Sequence, residues 1–154
     1  MSTREADCPL CQHEGGVLLW QGKHLRVLEA EEADDPGFTR VIWHAHIAEM
    51  SNLSAHGRDL LMRAVYAVEQ AQQEILHPDK INLASLGNMV PHLHWHVIPR
   101  WRDDRHFPDP IWASPRRPPD SKTPEGKARH ERLLLLLPRY RSRIQELMTA
   151  LLWH

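Results

Sequence analysis

Apolar residues recur with a helical period in the middle of the chain. Between residues 55 and 76 they return every three or four positions, as in a helix that buries one face. They form two adjacent stripes: Leu61, Val65, Val68 and Ile75, with Leu60, Ala64, Ala67 and Ala71 beside them. Ser54 is a suitable N-cap and Pro78 a suitable stop signal, so we predict one long helix over 55–76.

Short runs rich in β-branched and aromatic residues predict strands on both sides of this helix. Four such runs are Val17–Trp20, Leu25–Leu28, Phe38–Trp43 and Lys80–Ser85. The first two are joined near Gly22, which favours a hairpin. The order of elements predicts an α+β fold, in which a mostly antiparallel sheet carries the long helix on one face.

A strict alternation stands out at residues 92 to 98, which read His-Leu-His-Trp-His-Val-Ile. A strand with this pattern places its histidines, His92, His94 and His96, on one face. Same-face neighbours lie roughly 6.5–7 Å apart, so three imidazoles in line hardly share one metal ion. At least one is left for another task, and imidazole suits nucleophilic attack or proton transfer. The alternative is a histidine-rich strand without chemistry.

The last quarter of the chain has a different composition. Proline and arginine dominate from Pro108 to Pro124, which indicates a linker. The segment His130–Leu152 has helical character, and Pro138 should break or kink it. Its five consecutive leucines, Leu133–Leu137, need covering either by the domain or by a second copy of the chain.

Composition places the chain among globular proteins of ordinary size. Its 154 residues are 42% hydrophobic and 25% charged, and no apolar run is long enough for a membrane span. The polar, acidic start is unlike a secretory signal, so we expect a cytoplasmic protein. Net charge is −1 overall, with −6 over residues 1–99 and +5 over residues 100–154. Acidic residues interrupt the basic end, so nothing favours nucleic acid as a partner.

Residues 92–98 resemble the motif of the histidine triad (HIT) superfamily of nucleotide hydrolases and transferases, in which apolar residues follow each of three alternating histidines. The resemblance continues through Val97–Arg100 and extends upstream over Pro36-Gly37, the strand residues 40–43, His46 and Asn82. It covers roughly residues 7 to 112. It implies a HIT-like domain over 1–112, followed by a Pro/Arg-rich linker and C-terminal helical extension over 113–154.

This resemblance implies an enzyme that cleaves nucleoside phosphate derivatives, either dinucleoside polyphosphates or nucleoside phosphoramidates. His94 would be the nucleophile that forms a nucleotidyl-histidine intermediate, which water then hydrolyses to a nucleoside monophosphate. A backbone carbonyl would orient its ring, and His96 would contact the phosphate and assist the leaving group. A nucleotidyltransferase and a non-catalytic nucleotide-binding or scaffold module remain alternatives. Many HIT proteins are homodimers, and we expect the same here.

The substrate-binding residues implied by the resemblance are Asn82, Gly87, Asn88, His92 and Arg100. For Asn88 the alternative is simple turn chemistry, and for Arg100 a surface salt bridge. Aromatic side chains that would frame a base or sugar, or else fill the core or an interface, are Trp43, Trp101, Phe107 and Trp112.

Cys8 and Cys11 have the spacing of a zinc knuckle. Some HIT relatives bind zinc through two cysteines, an upstream histidine and the first triad histidine, which implies a structural zinc held by Cys8, Cys11, His46 and His92. The alternatives are two reduced thiols, or His44 in place of His46. No organic cofactor is expected.

Overall fold

A five-stranded antiparallel sheet forms the centre of the computed structural model, which describes residues 4–151. Its strands are β1 (Val17–Gln21), β2 (Leu25–Glu29), β3 (Thr39–Trp43), β4 (Lys80–Ala84) and β5 (His94–Arg100). They are arranged in the order β1-β2-β3-β5-β4, and every neighbouring pair is antiparallel. The predicted α+β arrangement is confirmed, and β5 lies inside the sheet between β3 and the edge strand β4.

The predicted long helix is also confirmed. After the short helix α1 (Pro9–Gln12) and a 3-10 turn (Met50–Asn52), helix α2 covers Ala55–Ala71 and continues as a π-helical turn over Gln72–Leu76. The hydroxyl of Ser54 accepts a hydrogen bond from the backbone N–H of Gly57, as an N-cap should. The helix ends at His77, whose left-handed backbone (φ 51°) precedes Pro78.

The register of β5 separates the two faces of the sheet. His96 lies opposite Arg40 of β3 and Ala84 of β4, and His94 lies opposite Ile42. Val97, on the other face, belongs to the main hydrophobic cluster that also contains the buried residues of α2. The histidines therefore lie on the face away from α2. This strand begins at His94, two residues later than the alternation predicted.

Helix α3 (Pro124–Leu151) forms the C-terminal part of the described chain. It begins earlier than predicted and runs through Pro138, so the helix is not broken there, and a kink at this residue stays a prediction. Pro138 lies on the exposed side of the helix, where the carbonyl that it deprives of a hydrogen bond is accessible to water. Residue 152, the predicted end, lies outside the described residues.

Helix geometry divides the run of leucines on α3. Leu133 and Leu137 are buried and Leu135 is exposed. The buried residues continue through Tyr140, Ile144 and Met148, in the same cluster as α2 and the sheet. The C-terminal helix thus completes the core of the sheet domain. Over residues 4–151, no helix has the length and apolar character that a membrane crossing requires.

Candidate active site and metal-binding cluster

A backbone carbonyl decides which ring nitrogen of His94 carries the hydrogen. Its Nδ1 lies 2.5 Å from the carbonyl oxygen of His92. Because a carbonyl oxygen only accepts, Nδ1 carries the hydrogen, and Nε2 of the neutral ring keeps a free lone pair. Burial lowers the pKa of His94, although the bond to the His92 carbonyl opposes this shift. The ring is 9% exposed. His94 is therefore a neutral, oriented ring with Nε2 unprotonated, the state that nucleophilic attack would require.

His96 stands edge-on to His94, with 4.8 Å between the ring centroids. It stacks on Phe38 at 5.6 Å and contacts the edge of Trp112 at 5.0 Å. Burial, with a smaller contribution from His94, lowers the pKa of His96 to about 3. Its Nδ1 is buried and has no hydrogen-bond partner among residues 4–151. His96 is consequently neutral near pH 7 and has hydrogen-bonding capacity that the protein leaves unused.

A cavity of about 450 Å³ opens beside His94. Gly87 and Ser85 line it from the loop before β5, and the hydroxyl of Ser85 donates to the carbonyl oxygen of His94. Gly87 has φ 75°, the left-handed region that glycine adopts without strain. Asn88 is exposed and does not line this cavity. The loop thus brings Gly87 to the cavity beside His94, and substrate binding by Asn88 stays a prediction.

Arg100 is buried, and its guanidinium is bonded within the protein. It is 1% exposed, and Asp104 accepts bonds of 2.7 and 3.0 Å from its Nε and Nη2. Its Nη1 donates to Oδ1 of Asn82 at 2.8 Å, and its Nη2 also donates to the carbonyl of Asp109. Every guanidinium nitrogen is engaged. We therefore assign Arg100 and Oδ1 of Asn82 to a structural network that anchors the loop after β5.

Four potential metal ligands meet where the short helix α1 packs against the segment before β5. Nδ1 of His92 lies 3.4 Å from Sγ of Cys8 and 3.4 Å from Sγ of Cys11, and Nδ1 of His46 lies 3.4 Å from the latter. All four ligand atoms lie within 4.8 Å of one another. One turn of α1 brings the two thiols to the same side, since the N–H of Cys11 donates to the carbonyl of Cys8.

The donor set fits a tetrahedral ion. With bonds of about 2.3 Å to sulfur and 2.0–2.1 Å to nitrogen, zinc would separate S and N by about 3.5 Å, close to the observed distances. The other ring nitrogen of His92 donates to the carbonyl of Trp43 at 2.6 Å, as a ligating histidine normally does. His44 is not in this group and bonds to the carbonyl of Gly22. The geometry selects His46 over His44.

His92 connects the two sites. Its ring faces the cysteines, and its carbonyl oxygen accepts a hydrogen bond from Nδ1 of His94. His92 is fully buried, so its own position depends on the cluster around it. Interactions that fix His92 therefore also fix the orientation of the His94 ring.

The aromatic candidates separate by position. Trp43 and Trp101 are buried, and Trp43 stacks on His24. Phe107 packs under the guanidinium of Arg100, with 5.6 Å between the carbon Cζ and the ring centroid. Trp112 is 50% exposed and contacts His96. Of these four side chains, Trp112 is the one that borders the histidines.

Sequence reasoning missed two residues of this face, Phe38 and Arg40. Both lie at the β3 side of His96. The available signal was the charged residue inside an otherwise apolar strand, at a position two residues before Ile42. Only the register between β3 and β5 shows that this position faces the triad.

The fold and the row of histidines are those of the histidine triad class of proteins. A family model described as the HIT domain matches residues 15–103, more than half of the chain. The protein belongs to the HIT family.

Individual relatives are more distant. The AP-4-A phosphorylase of Mycobacterium tuberculosis, found in strains CDC 1551 / Oshkosh and H37Rv, is 23% identical over 107 residues. The match covers 66% of this chain and 55% of that enzyme, so the chain spans about half the length of the curated relatives it matches.

Solved structures extend the likeness over most of the chain. A histidine triad protein from Marinobacter aquaeolei VT8 is 27% identical, with a TM-score of 0.65 over 90% of this chain and 92% of that one. One from Bradyrhizobium japonicum is also 27% identical, with a TM-score of 0.61 over 80% and 91%. A zinc-bound family member from Mycobacterium smegmatis is 22% identical, with a TM-score of 0.60 over 94% and 97%, and shows the shared fold.

Proposed function

We propose that this protein is a hydrolase of nucleoside phosphate derivatives, either dinucleoside polyphosphates or nucleoside phosphoramidates. The observation that carries the proposal is the bond from Nδ1 of His94 to the carbonyl of His92, which leaves Nε2 unprotonated. His94 lines a cavity that Gly87 also lines. A neutral imidazole with a fixed tautomer is a suitable nucleophile for phosphorus.

The proposed reaction has two steps. Nε2 of His94 attacks the α-phosphorus and a P–N bond forms. The bond from phosphorus to the leaving group breaks, and the leaving group takes the electron pair. Water then attacks the phosphorus of the nucleotidyl-histidine, an O–P bond forms as the P–Nε2 bond breaks, and the proton that water loses passes to solvent. A nucleoside monophosphate leaves and His94 is restored. His96, whose ring stands edge-on to His94 at 4.8 Å, would contact the phosphate or the leaving group.

We propose that the cluster of Cys8, Cys11, His46 and His92 holds zinc as a structural ion. The support is the two-thiol, two-imidazole donor set, the S–N distances of 3.4 Å and the bond from His92 to Trp43. The ion would fix α1 to the segment before β5. His92 then contributes by positioning His94 through its carbonyl oxygen.

A second candidate is a phosphorylase, in which inorganic phosphate takes the place of water. The likeness to the AP-4-A phosphorylase of Mycobacterium tuberculosis favours it. The same nucleotidyl-histidine would then yield a nucleoside diphosphate. A non-catalytic nucleotide-binding module would bind these compounds and release no product.

A product assay separates the three candidates. The protein is incubated with diadenosine polyphosphates or an adenosine phosphoramidate, with and without inorganic phosphate, and nucleotides are separated by chromatography. We expect AMP in both conditions; ADP that requires added phosphate would establish the phosphorylase. Binding without product would establish the module.

Two variants attribute the activity to the site. His94→Ala should abolish turnover while nucleotide binding stays detectable. His56→Ala, which changes an exposed histidine on α2, should retain full activity. Full activity in His94→Ala would end the proposal.

We also propose a homodimer. The exposed leucines of α3, Leu134 at 50% and Leu135 at 82% exposure, are apolar side chains that association would cover. Sedimentation velocity tests this directly, since a monomer at assay concentration would contradict it.

A further inference from the structure

Arg40 is a partly buried cation on the catalytic face of the sheet. The β3–β5 register places it directly opposite His96, and cross-strand partners share a face. Its Cζ lies 4.9 Å from the centroid of Phe38, the ring on which His96 stacks. Among residues 4–151, no carboxylate forms an ion pair with it. Glu32 is near enough to raise the pKa of Arg40 against the effect of burial but is not bonded to it, so the positive charge beside the triad has no directly paired protein anion.

The other buried arginines of the sheet are bonded more completely. Arg26 donates three hydrogen bonds to backbone carbonyls, and Arg100 is held by Asp104, Asn82 and the carbonyl of Asp109. Arg40 makes one hydrogen bond, from Nη1 to the carbonyl of Gly15 at 3.3 Å. Its other nitrogens are not among the fully buried atoms that lack a partner, so they remain accessible to solvent or ligand.

Burying the guanidinium of Arg40 costs free energy, because the cation loses part of its hydration. Burial lowers the pKa of Arg40, and the positive charge of Arg40 also contributes to the lowered pKa values of His94 and His96. Its field therefore reaches both rings. An anion that enters between them would replace the missing hydration and satisfy the free donors of the guanidinium.

We propose that Arg40 binds a phosphate group of the substrate other than the one that His94 attacks. The inference rests on the proposed function for the location of the attacked phosphorus. Arg40 lies opposite His96 and not opposite His94, which pairs with Ile42 two residue pairs away along the sheet. A planar guanidinium matches two oxygens of one phosphate. The site then favours substrates with two or more phosphates over a phosphoramidate, which has only one.

Equilibrium binding tests this without requiring turnover. Dissociation constants of AMP and ADP are measured by titration calorimetry for the natural protein, Arg40→Met and Arg40→Lys. A charge-assisted hydrogen bond contributes about 1.5–3 kcal/mol, so Arg40→Met should weaken ADP binding roughly 10- to 100-fold. AMP binding should change by less than about threefold. The ADP affinity of Arg40→Lys should be intermediate, because lysine keeps the charge without the planar guanidinium that donates two parallel hydrogen bonds.

Control measurements keep the result interpretable. Arg58→Met changes an exposed arginine on α2 and should leave both constants unchanged. Arg40→Met keeps an apolar stem against Phe38, and its thermal unfolding is recorded in parallel. Should it fail to fold, Arg40→Lys decides the question: a selective loss of ADP binding supports the proposal, and unchanged binding overturns it. Equal weakening of AMP and ADP, or no change in either, would also overturn it.

A turnover experiment distinguishes failure of this inference from failure of the proposed function. The ratio of kcat/KM for diadenosine tetraphosphate to that for adenosine phosphoramidate should fall at least about tenfold in Arg40→Met. An unchanged ratio in an active variant would refute the role of Arg40 while leaving the hydrolase intact. Absence of turnover in the natural protein would refute the hydrolase, and the binding result on Arg40 would still hold.

Discussion

Arg100→Met should destabilise the fold and leave substrate recognition unchanged. The side chains of Arg100 and Asp104 are only 2% and 8% exposed and pair at 2.7 Å. Removing one partner of a buried ion pair usually costs about 3–5 kcal/mol, because the remaining charge stays desolvated. Methionine roughly preserves the volume of the stem. The backbone N–H groups of His106 and Phe107 continue to bond to Asp104, so we expect the lower end, about 3 kcal/mol.

Urea and thermal unfolding measure this loss. A change of about 3 kcal/mol corresponds to a midpoint lowered by roughly 6–12 °C in a domain of this size. Arg102→Met, a change at an exposed neighbouring arginine, should shift the midpoint little. The double variant Arg100→Met with Asp104→Asn should lose less than the sum of the two single variants, because it leaves no unpaired charge.

The pH dependence of the loss has a definite sign. Burial raises the pKa of Asp104, but the bond from Arg100 and the N–H groups of His106 and Phe107 outweigh it and hold the pKa below its usual value. A lowered carboxyl pKa stabilises the fold above the unfolded value of about 3.9, and that contribution disappears as the pH falls further. The difference between the natural protein and Arg100→Met should therefore shrink below about pH 4. Near-natural stability of the variant together with a raised KM would refute the structural role and restore Arg100 as a substrate ligand.

Two further predictions concern the core and the metal cluster. Leu133→Ala should lower the free energy of unfolding by about 2–5 kcal/mol and Leu135→Ala by less than about 0.5, because the first is 3% and the second 82% exposed; equal losses would show that α3 does not pack on the domain as described. Purified protein should contain one zinc per chain by elemental analysis. Cys11→Ser should lose most of the zinc and should lower both the unfolding midpoint and the turnover number, since His92 carries the carbonyl that orients His94. A natural protein without zinc that unfolds at the same midpoint as the zinc-containing protein would contradict the site.

The sequence predicted the elements whose periodicity is strong and local. The helix over 55–76 has apolar stripes, an N-cap and a following proline, and all three act within a few residues of one another. The alternation of histidines likewise depends on the strand alone. Cys8, Cys11, His46 and His92 were brought together by resemblance, and the structure places their ligand atoms within 4.8 Å.

The remaining features depend on contacts between distant segments. The orienting carbonyl belongs to His92, a result that alternation along the strand could not give. Arg100 is buried because the loop around Asp104 folds over it, which its position after β5 did not indicate. Arg40 meets the triad only through the pairing of β3 with β5. Pro138 is tolerated because it lies on the exposed side of α3, a property that tertiary packing decides.

The central claim is that Nε2 of His94 forms a covalent bond to the phosphorus of the substrate. Mixing the protein with substrate, quenching on the millisecond scale and mapping peptides by mass spectrometry measures this directly. We predict one nucleotidyl group on the peptide that contains His94, formed and lost at rates compatible with turnover and absent from His94→Ala. A nucleotidyl group on another residue, or turnover that persists in His94→Ala, would contradict the account.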